Sequence, residues 1–121
     1  MDLNANVPKE IVDKAYEALQ LARKGGKLKK GTNEVTKAVE RSTAKLVVVA
    51  KDVNPKEIIM HLPSLCEEKS IPIVVVPTRE ELGEAAGLTL PTAAVAIIQE
   101  GDAKQVIKEL ISKLKSIQEK Q

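Results

Sequence analysis

The chain has 121 residues, with 19 Lys and Arg against 17 Asp and Glu, one His, one Cys, one Tyr and neither Phe nor Trp. That length suits one domain, residues 1–121, burying roughly two thirds of its unfolded surface, and the 43% of hydrophobic residues must build the core from Val, Ile, Leu and Ala. One Cys and one His exclude a disulfide framework, Cys-rich zinc sites and two-His metal motifs, and a lone aromatic excludes binders that stack single strands on several rings.

The start of the chain has neither a basic nor an apolar signal-peptide region, so no leader is expected. Apolar runs such as residues 46–50 and 73–77 are far too short to span a bilayer. Residues 8–24 read as a helix, with Pro8 in the first turn and Ile11, Val12, Ala15, Ala18, Leu19 and Ala22 at helical spacing. Gly25-Gly26 ends it, and Lys27–Lys30 reads as a short edge strand. Thr32 is the expected cap of a second helix over roughly 33–42. Residues 46–50 (LVVVA) then form a strand apolar on both faces.

Asn54-Pro55-Lys56-Glu57 has the form of a helix start, predicting a helix to about Lys69 with a kink near Pro63. Residues 73–76 (IVVV) are the next strand. Thr78-Arg79-Glu80-Glu81 has capping-box form and opens a short helix that stops at Gly87. Residues 94–99 are a last strand. Asp102 is the expected cap of a final helix with Val106, Ile107, Leu110, Ile111, Leu114 and Ile117 in one apolar stripe. Two-sided apolar strands need cover on both faces, so the expected architecture is α/β, a three-layer α/β/α sandwich with a small mixed sheet of about four strands. Residues 46–77 should form a right-handed βαβ crossover. The loops at the carboxyl ends of its strands, 51–54 and 77–79, are where such sheets bind ligands.

Several sites fail on inspection. Gly25-Gly26-Lys27 is followed by Leu28 and preceded by a helix, which does not make a phosphate loop. His61 reads as a structural or partly exposed histidine. Cys66 reads as a buried small hydrophobe, with Glu67 and Glu68 expected to raise its pKa. Glu67-Glu68 and Glu80-Glu81 are ordinary solvated helix positions.

Charge is uneven. From Arg23 to Arg41 there are seven basic and two acidic residues, a net of +5, which leaves 12 basic and 15 acidic residues, a net of −3, elsewhere. A basic segment on a faintly acidic body is the footprint of a polyanion contact or simply a solvated surface. With about 100° per residue and Asn33 at zero, Lys37 falls near 40°, Arg41 near 80° and Glu34 near 100°, while Ala38, Val35 and Val39 fall near 140°, 200° and 240°. One face thus carries an amide, a carboxylate, an ammonium and a guanidinium. It starts where unpaired N–H groups favour phosphate, after Gly31, which permits close backbone approach or positive φ. A carboxylate accepts but cannot donate, and the exposed edge of a guanine in a sheared G·A pair offers donors. The same residues also fit a plain solvated face.

The segment Gly31-Thr32-Asn33-Glu34-Val35-Thr36-Lys37-Ala38-Val39-Glu40-Arg41 resembles the signature of the archaeal L7Ae ribosomal protein family, which binds kink-turns and includes the box C/D core proteins. The likeness continues through Ala44–Ala50, His61–Lys69 and Leu82–Gly87, strong over about 30–102 and weak in both terminal helices. It implies a non-enzymatic α/β/α sandwich that binds kink-turns and kink-loops in the large ribosomal subunit and nucleates box C/D guide particles. It also implies H/ACA particles and, in some lineages, ribonuclease P, hence tRNA processing.

By that resemblance Asn33, Glu34 and Lys37 read tandem sheared G·A pairs, Arg41 holds the adjacent backbone, and Lys27, Lys30, Gly31 and Thr32 lie along phosphates. Asn54, Ile58 and Arg79 match positions near an extruded nucleotide. Leu88-Thr89-Leu90-Pro91 matches the loop that caps the kink, where exposed apolar side chains are otherwise a liability unless they pack on the preceding helix. Asn54 stands where several relatives carry an acidic residue, and Ala93 where some carry a larger aliphatic one. The implied partners are rRNA, box C/D guide RNA and other ribonucleoprotein core proteins, in the cytoplasm, with a monomer when free and no cofactor, metal or membrane. The alternatives are a protein-interaction adaptor of the same fold and, third, a small hydrolase or phosphotransfer protein, for which no nucleophile elbow or complete phosphate loop is present.

Overall fold

The computed structural model describes residues 8–119, with side chains as far as Lys115. Strands and helices alternate along it: α1 (Lys9–Gly25), β1 (Lys27–Lys30), α2 (Thr32–Glu40), β2 (Leu46–Ala50), α3 (His61–Glu68), β3 (Ile73–Val76), α4 (Arg79–Ala85), β4 (Ala94–Gln99) and α5 (Lys104–Glu119), with 3-10 turns at Lys56–Ile58 and Gly101–Ala103. The sheet order is β1-β4-β2-β3. β4 runs antiparallel to both β1 and β2, and β2 runs parallel to β3, so the sheet is mixed. Every residue of β2 and β3 is buried, the condition of a sheet covered on both faces. One helical layer groups α1 with α4 and α5, and the other groups α2 with α3, which gives the expected α/β/α sandwich.

The core is aliphatic throughout, with Leu19, Leu46, Ile59, Leu62, Leu82, Ile97 and Leu110 fully enclosed. α5 lies along α1 through Ile107 and Leu110. Lys14–Glu109 (2.8 Å) and Lys113–Glu10 pair across the seam, although exposed ion pairs stabilise by less than about 1 kcal/mol. Within the expected stripe Val106, Ile111 and Leu114 are half-buried, and Ile117 lies outside the described side chains, as residues 1–4 lie outside the described chain. Among the described residues no helix is long and apolar enough to cross a membrane.

Four local expectations need correction. α2 begins at Thr32 and ends at Glu40, so its N-cap is Gly31; Thr32 instead accepts, through its carbonyl, the Thr36 hydroxyl at 2.7 Å. The helix expected from Asn54 does not form, because Pro55 is extended (φ −76°, ψ 150°) and only a single 3-10 turn follows. The chain then buries Ile59 and starts α3 at His61. The break therefore falls upstream of Pro63, which lies in the first turn of α3, where a missing N–H costs no helical bond. Asp102 lies inside the 3-10 turn Gly101–Ala103 instead of capping α5. The Thr78 cap, by contrast, is present: its Oγ1 accepts the Glu81 amide at 3.2 Å.

Register decides what the fold can present. Lys30 lies opposite Val95, Ala94 opposite Val49 and Ala50 opposite Val76. The carboxyl ends of β1, β2 and β3 therefore share one end of the sheet with the start of β4. Four chain segments emerge there: the start of α2, the turn after β2, the turn into α4, and the loop from Leu88 to Ala93.

That loop is seated on α4. The Leu88 amide donates to the Gly83 carbonyl at 2.9 Å, and a Cβ on Gly83 would fall 2.4 Å from the Leu90 carbonyl oxygen. Ala is ordinarily the better helix former by about 1 kcal/mol. Here overpacking reverses the sign, so Gly83→Ala is expected to destabilise by about 1–3 kcal/mol, measured as a lower midpoint in urea denaturation.

Candidate nucleic-acid interface

β1 is a basic edge strand whose lysines are exposed while Leu28 is half-buried against the core. At its end Gly31 adopts φ 94° and ψ 148°, a backbone that disfavours any residue with a Cβ. Its amide donates to the Ala94 carbonyl at 2.9 Å. The chain thereby passes from strand to helix in one residue, and the start of α2 is fixed beside the start of β4. No side chain caps this helix. Its first-turn amides face outward with the positive end of the helix dipole, an arrangement that attracts anions.

Val35, Ala38 and Val39 are buried, which turns Asn33, Glu34, Lys37 and Arg41 to solvent. Arg41 is the C-cap, so the polar row extends about 12 Å from Asn33 at 1.5 Å per residue. α2 is also tied to α3. The Thr36 hydroxyl lies 2.8 Å from His61 Nε2 and 2.7 Å from the Thr32 carbonyl. A hydroxyl has one proton; with it given to Thr32, His61 must donate from Nε2. His61 is thus a strut between helices, which fits its reading as a structural or partly exposed histidine.

The other three segments complete the surface. Asn54 and Ile58 are exposed in the turn after β2, Ile58 at 43%, and Met60 beside them is 56% exposed. Met60 carries no motif signal in the sequence and is exposed because the chain forms a 3-10 turn before α3. Arg79 is exposed at the start of α4. In the last loop the two leucines divide: Leu88 is half-buried against the core, whereas Leu90 is 73% exposed, with Thr89 and Pro91 exposed on either side. Lys30, Gly31, Thr32, Asn33, Glu34, Asn54, Ile58, Arg79 and residues 88–91 therefore belong to segments at one end of the sheet. Lys27 does not join them: it pairs with Gln99 at the opposite end of β1.

One contact network at this surface was invisible in the sequence. Asp52 Oδ1 accepts the Arg79 backbone amide at 2.8 Å and lies 3.8 Å from Arg79 Nε. The Arg79 carbonyl in turn accepts the Thr92 amide at 3.2 Å. Among the described residues, no group of three or more His, Cys, Asp or Glu is placed to hold a metal ion.

Comparison with known proteins gives two findings. Residues 13–107 match the sequence profile of the Ribosomal protein L7Ae/L30e/S12e/Gadd45 family. The chain is also similar to a solved structure, the Giardia lamblia 15.5kD RNA binding protein, with a TM-score of 0.86 and 28% identity over 96% of this chain and 98% of that one.

Two partly or fully buried groups with displaced pKa values, Tyr16 and Cys66, lie off this surface. Tyr16 borders a cleft of about 590 Å³ with Arg23, Glu81 and Glu84. Its hydroxyl is buried with no hydrogen-bond partner among the described residues, and burial, then nearby Glu81, raises its pKa. No residue singled out from sequence as a contact lines this cleft. Cys66 is fully buried in α3, and its pKa is pushed up to about 11 by that burial; Glu67 and Glu68, expected to raise it, are not the cause. The folded state therefore holds the thiol proton more tightly than the unfolded chain, and linkage fixes the sign. Stability is expected to be full below the ordinary thiol value of 9.0 and to fall as pH rises from there towards about 11. A urea-midpoint series compared with Cys66→Ala checks this: the variant should lack that part of the decline. At pH 8 a thiol reagent should label Cys66 only after denaturation.

Proposed function

Since the chain belongs to the Ribosomal protein L7Ae/L30e/S12e/Gadd45 family, we propose that it is an RNA-binding protein of the archaeal L7Ae type that recognises kink-turns and kink-loops. In this reading residues 1–121 act as one domain, in the large ribosomal subunit and as the nucleating component of box C/D and H/ACA guide particles, and in ribonuclease P. It works in the cytoplasm, as a monomer when free, and does no chemistry on its RNA. The observation that carries the reading is the exposed row Asn33, Glu34, Lys37 and Arg41 on a helix whose opposite face is buried. The RNA-binding description of the Giardia lamblia relative supports it.

The mechanism follows from the unlike chemistry of that row. The Glu34 carboxylate accepts from guanine edges exposed in sheared G·A pairs, which a phosphate-seeking lysine cannot do. Asn33 and Lys37 offer donors to the adjacent acceptors. Arg41 and Lys30 hold phosphates, and the amide end of α2 adds its dipole. Leu90, with Ile58 and Arg79, shields and orients an extruded nucleotide. A kink brings phosphates of two helices together, so free RNA without divalent ions favours the extended form. A protein that binds the bent form better shifts the population by that difference in affinity.

A second reading, a protein-interaction adaptor of the same fold, draws on the exposed apolar Ile58, Met60 and Leu90. RNA titrations separate the two. We expect the protein to prefer a kink-turn over the same RNA with its G·A pairs replaced by Watson–Crick pairs by at least about tenfold, and Glu34→Ala or Lys37→Ala to weaken kink-turn binding by about 1–3 kcal/mol. Equal affinity for both RNAs would support the adaptor, and an unchanged Glu34→Ala would remove the base-reading role. Lys30→Ala should lower the slope of log K against log salt by about one unit, and Lys27→Ala should lower it less.

A further inference from the structure

We infer that Asp52 is the positioning residue of this RNA surface: it locks Arg79 and, through Arg79, the Leu88–Pro91 loop into the geometry in which they meet RNA. The inference deepens the proposed function and rests on it. Asp52 follows β2 by two residues, on the segment that also carries Asn54 and Ile58. Its Oδ1 accepts the Arg79 amide at 2.8 Å, across 27 residues of sequence. That amide opens α4, one of the first-turn donors that a helix cannot satisfy by itself. Thr78 takes the Glu81 amide from its own cap position, so the α4 start is held by two different segments.

The clamp extends on both sides. The same Oδ1 faces Arg79 Nε at 3.8 Å, which orients the guanidinium by its inner nitrogen. The Arg79 carbonyl receives the amide of Thr92, a buried residue at 8% exposure whose hydroxyl reaches the Ala94 carbonyl at 3.3 Å. Thr92 ends the loop that carries Leu88, Thr89, Leu90 and Pro91. A continuous chain of bonds therefore runs from the β2 turn through Asp52, Arg79 and Thr92 to β4. In the proposed function Ile58 at one end and Leu90 at the other form two walls around the extruded nucleotide. A charge-assisted hydrogen bond holds more than a neutral one, and this one joins the two turns just beyond the last β2–β3 bond, from the Lys51 amide to the Val76 carbonyl. Asp52 needs no contact with RNA for this role.

The test uses the full chain, its Asp52→Ala and Asp52→Asn variants, and two RNAs: a kink-turn, and the same kink-turn with the extruded nucleotide made abasic. Asp52→Asn retains an acceptor for the Arg79 amide and loses only the charge. We expect Asp52→Ala to bind the intact kink-turn about tenfold more weakly and the abasic one within about twofold of wild type, because only the intact RNA uses both walls. Asp52→Asn should recover most of the loss, and amide hydrogen exchange should show faster exchange at Arg79 in Asp52→Ala alone. Equal losses on both RNAs would mean general destabilisation and overturn the proposal, as would wild-type binding by Asp52→Ala. In either case a wild-type preference for kink-turn over the G·A-replaced RNA leaves the proposed function standing; if wild type shows no such preference, both fall.

Discussion

The hydrogen bond from the Gly31 amide to the Ala94 carbonyl fixes where everything else can be. It is the last link between β1 and β4, made by a residue at φ 94°, and it leaves no room for a linker between the basic strand and α2. One such bond contributes only about 1 kcal/mol net. Burial of Val35 and Val39 contributes about 1.5–3 kcal/mol each and holds the helix down. Burial thus supplies the strength and the hydrogen bond the placement. With β4 in the middle of the sheet, the same bond brings the amide end of α2 next to the loop that enters β4, which lies more than fifty residues later in the chain.

The outcome is a surface of two textures. The α2 face offers an amide and a carboxylate in its first turn, Asn33 and Glu34, and then two donor-only cations, Lys37 and Arg41. The segments after β2 and α4 offer Ile58, Met60 and Leu90, large apolar groups exposed to water. A uniform basic stripe would bind any polyanion. A mixture of acceptors, donors and apolar tips suits the proposed partner, a folded RNA with phosphates, exposed base edges and an unstacked ring, better than a regular duplex.

Much of this was legible in the sequence because it depends on periodicity. The doubly apolar strands LVVVA and IVVV announced a sheet covered on both sides, and the angular positions of Val35, Ala38 and Val39 turned Asn33, Glu34, Lys37 and Arg41 outward. Features that depend on a distant partner were not legible. Asn54-Pro55-Lys56-Glu57 has the letters of a helix start, but tertiary burial of Ile59 takes the chain inward and delays α3 to His61. Lys27 looked like a member of the basic cluster until strand register placed it beside Gln99. Nothing near Asp52 marks its bond to Arg79, and although His61 reads as structural, its partner Thr36 lies 25 residues away. Leu88 and Leu90 are chemically identical, and only the loop path decides that one packs and the other protrudes.

In the proposed function this surface captures RNA in its bent form. Fluorescence energy transfer between the two arms of a labelled kink-turn, in buffer free of divalent ions, reports it directly. Adding the protein should move the RNA from low to high transfer, with no effect on the RNA whose G·A pairs are replaced. An unchanged signal, or the same rise with both RNAs, would contradict the account.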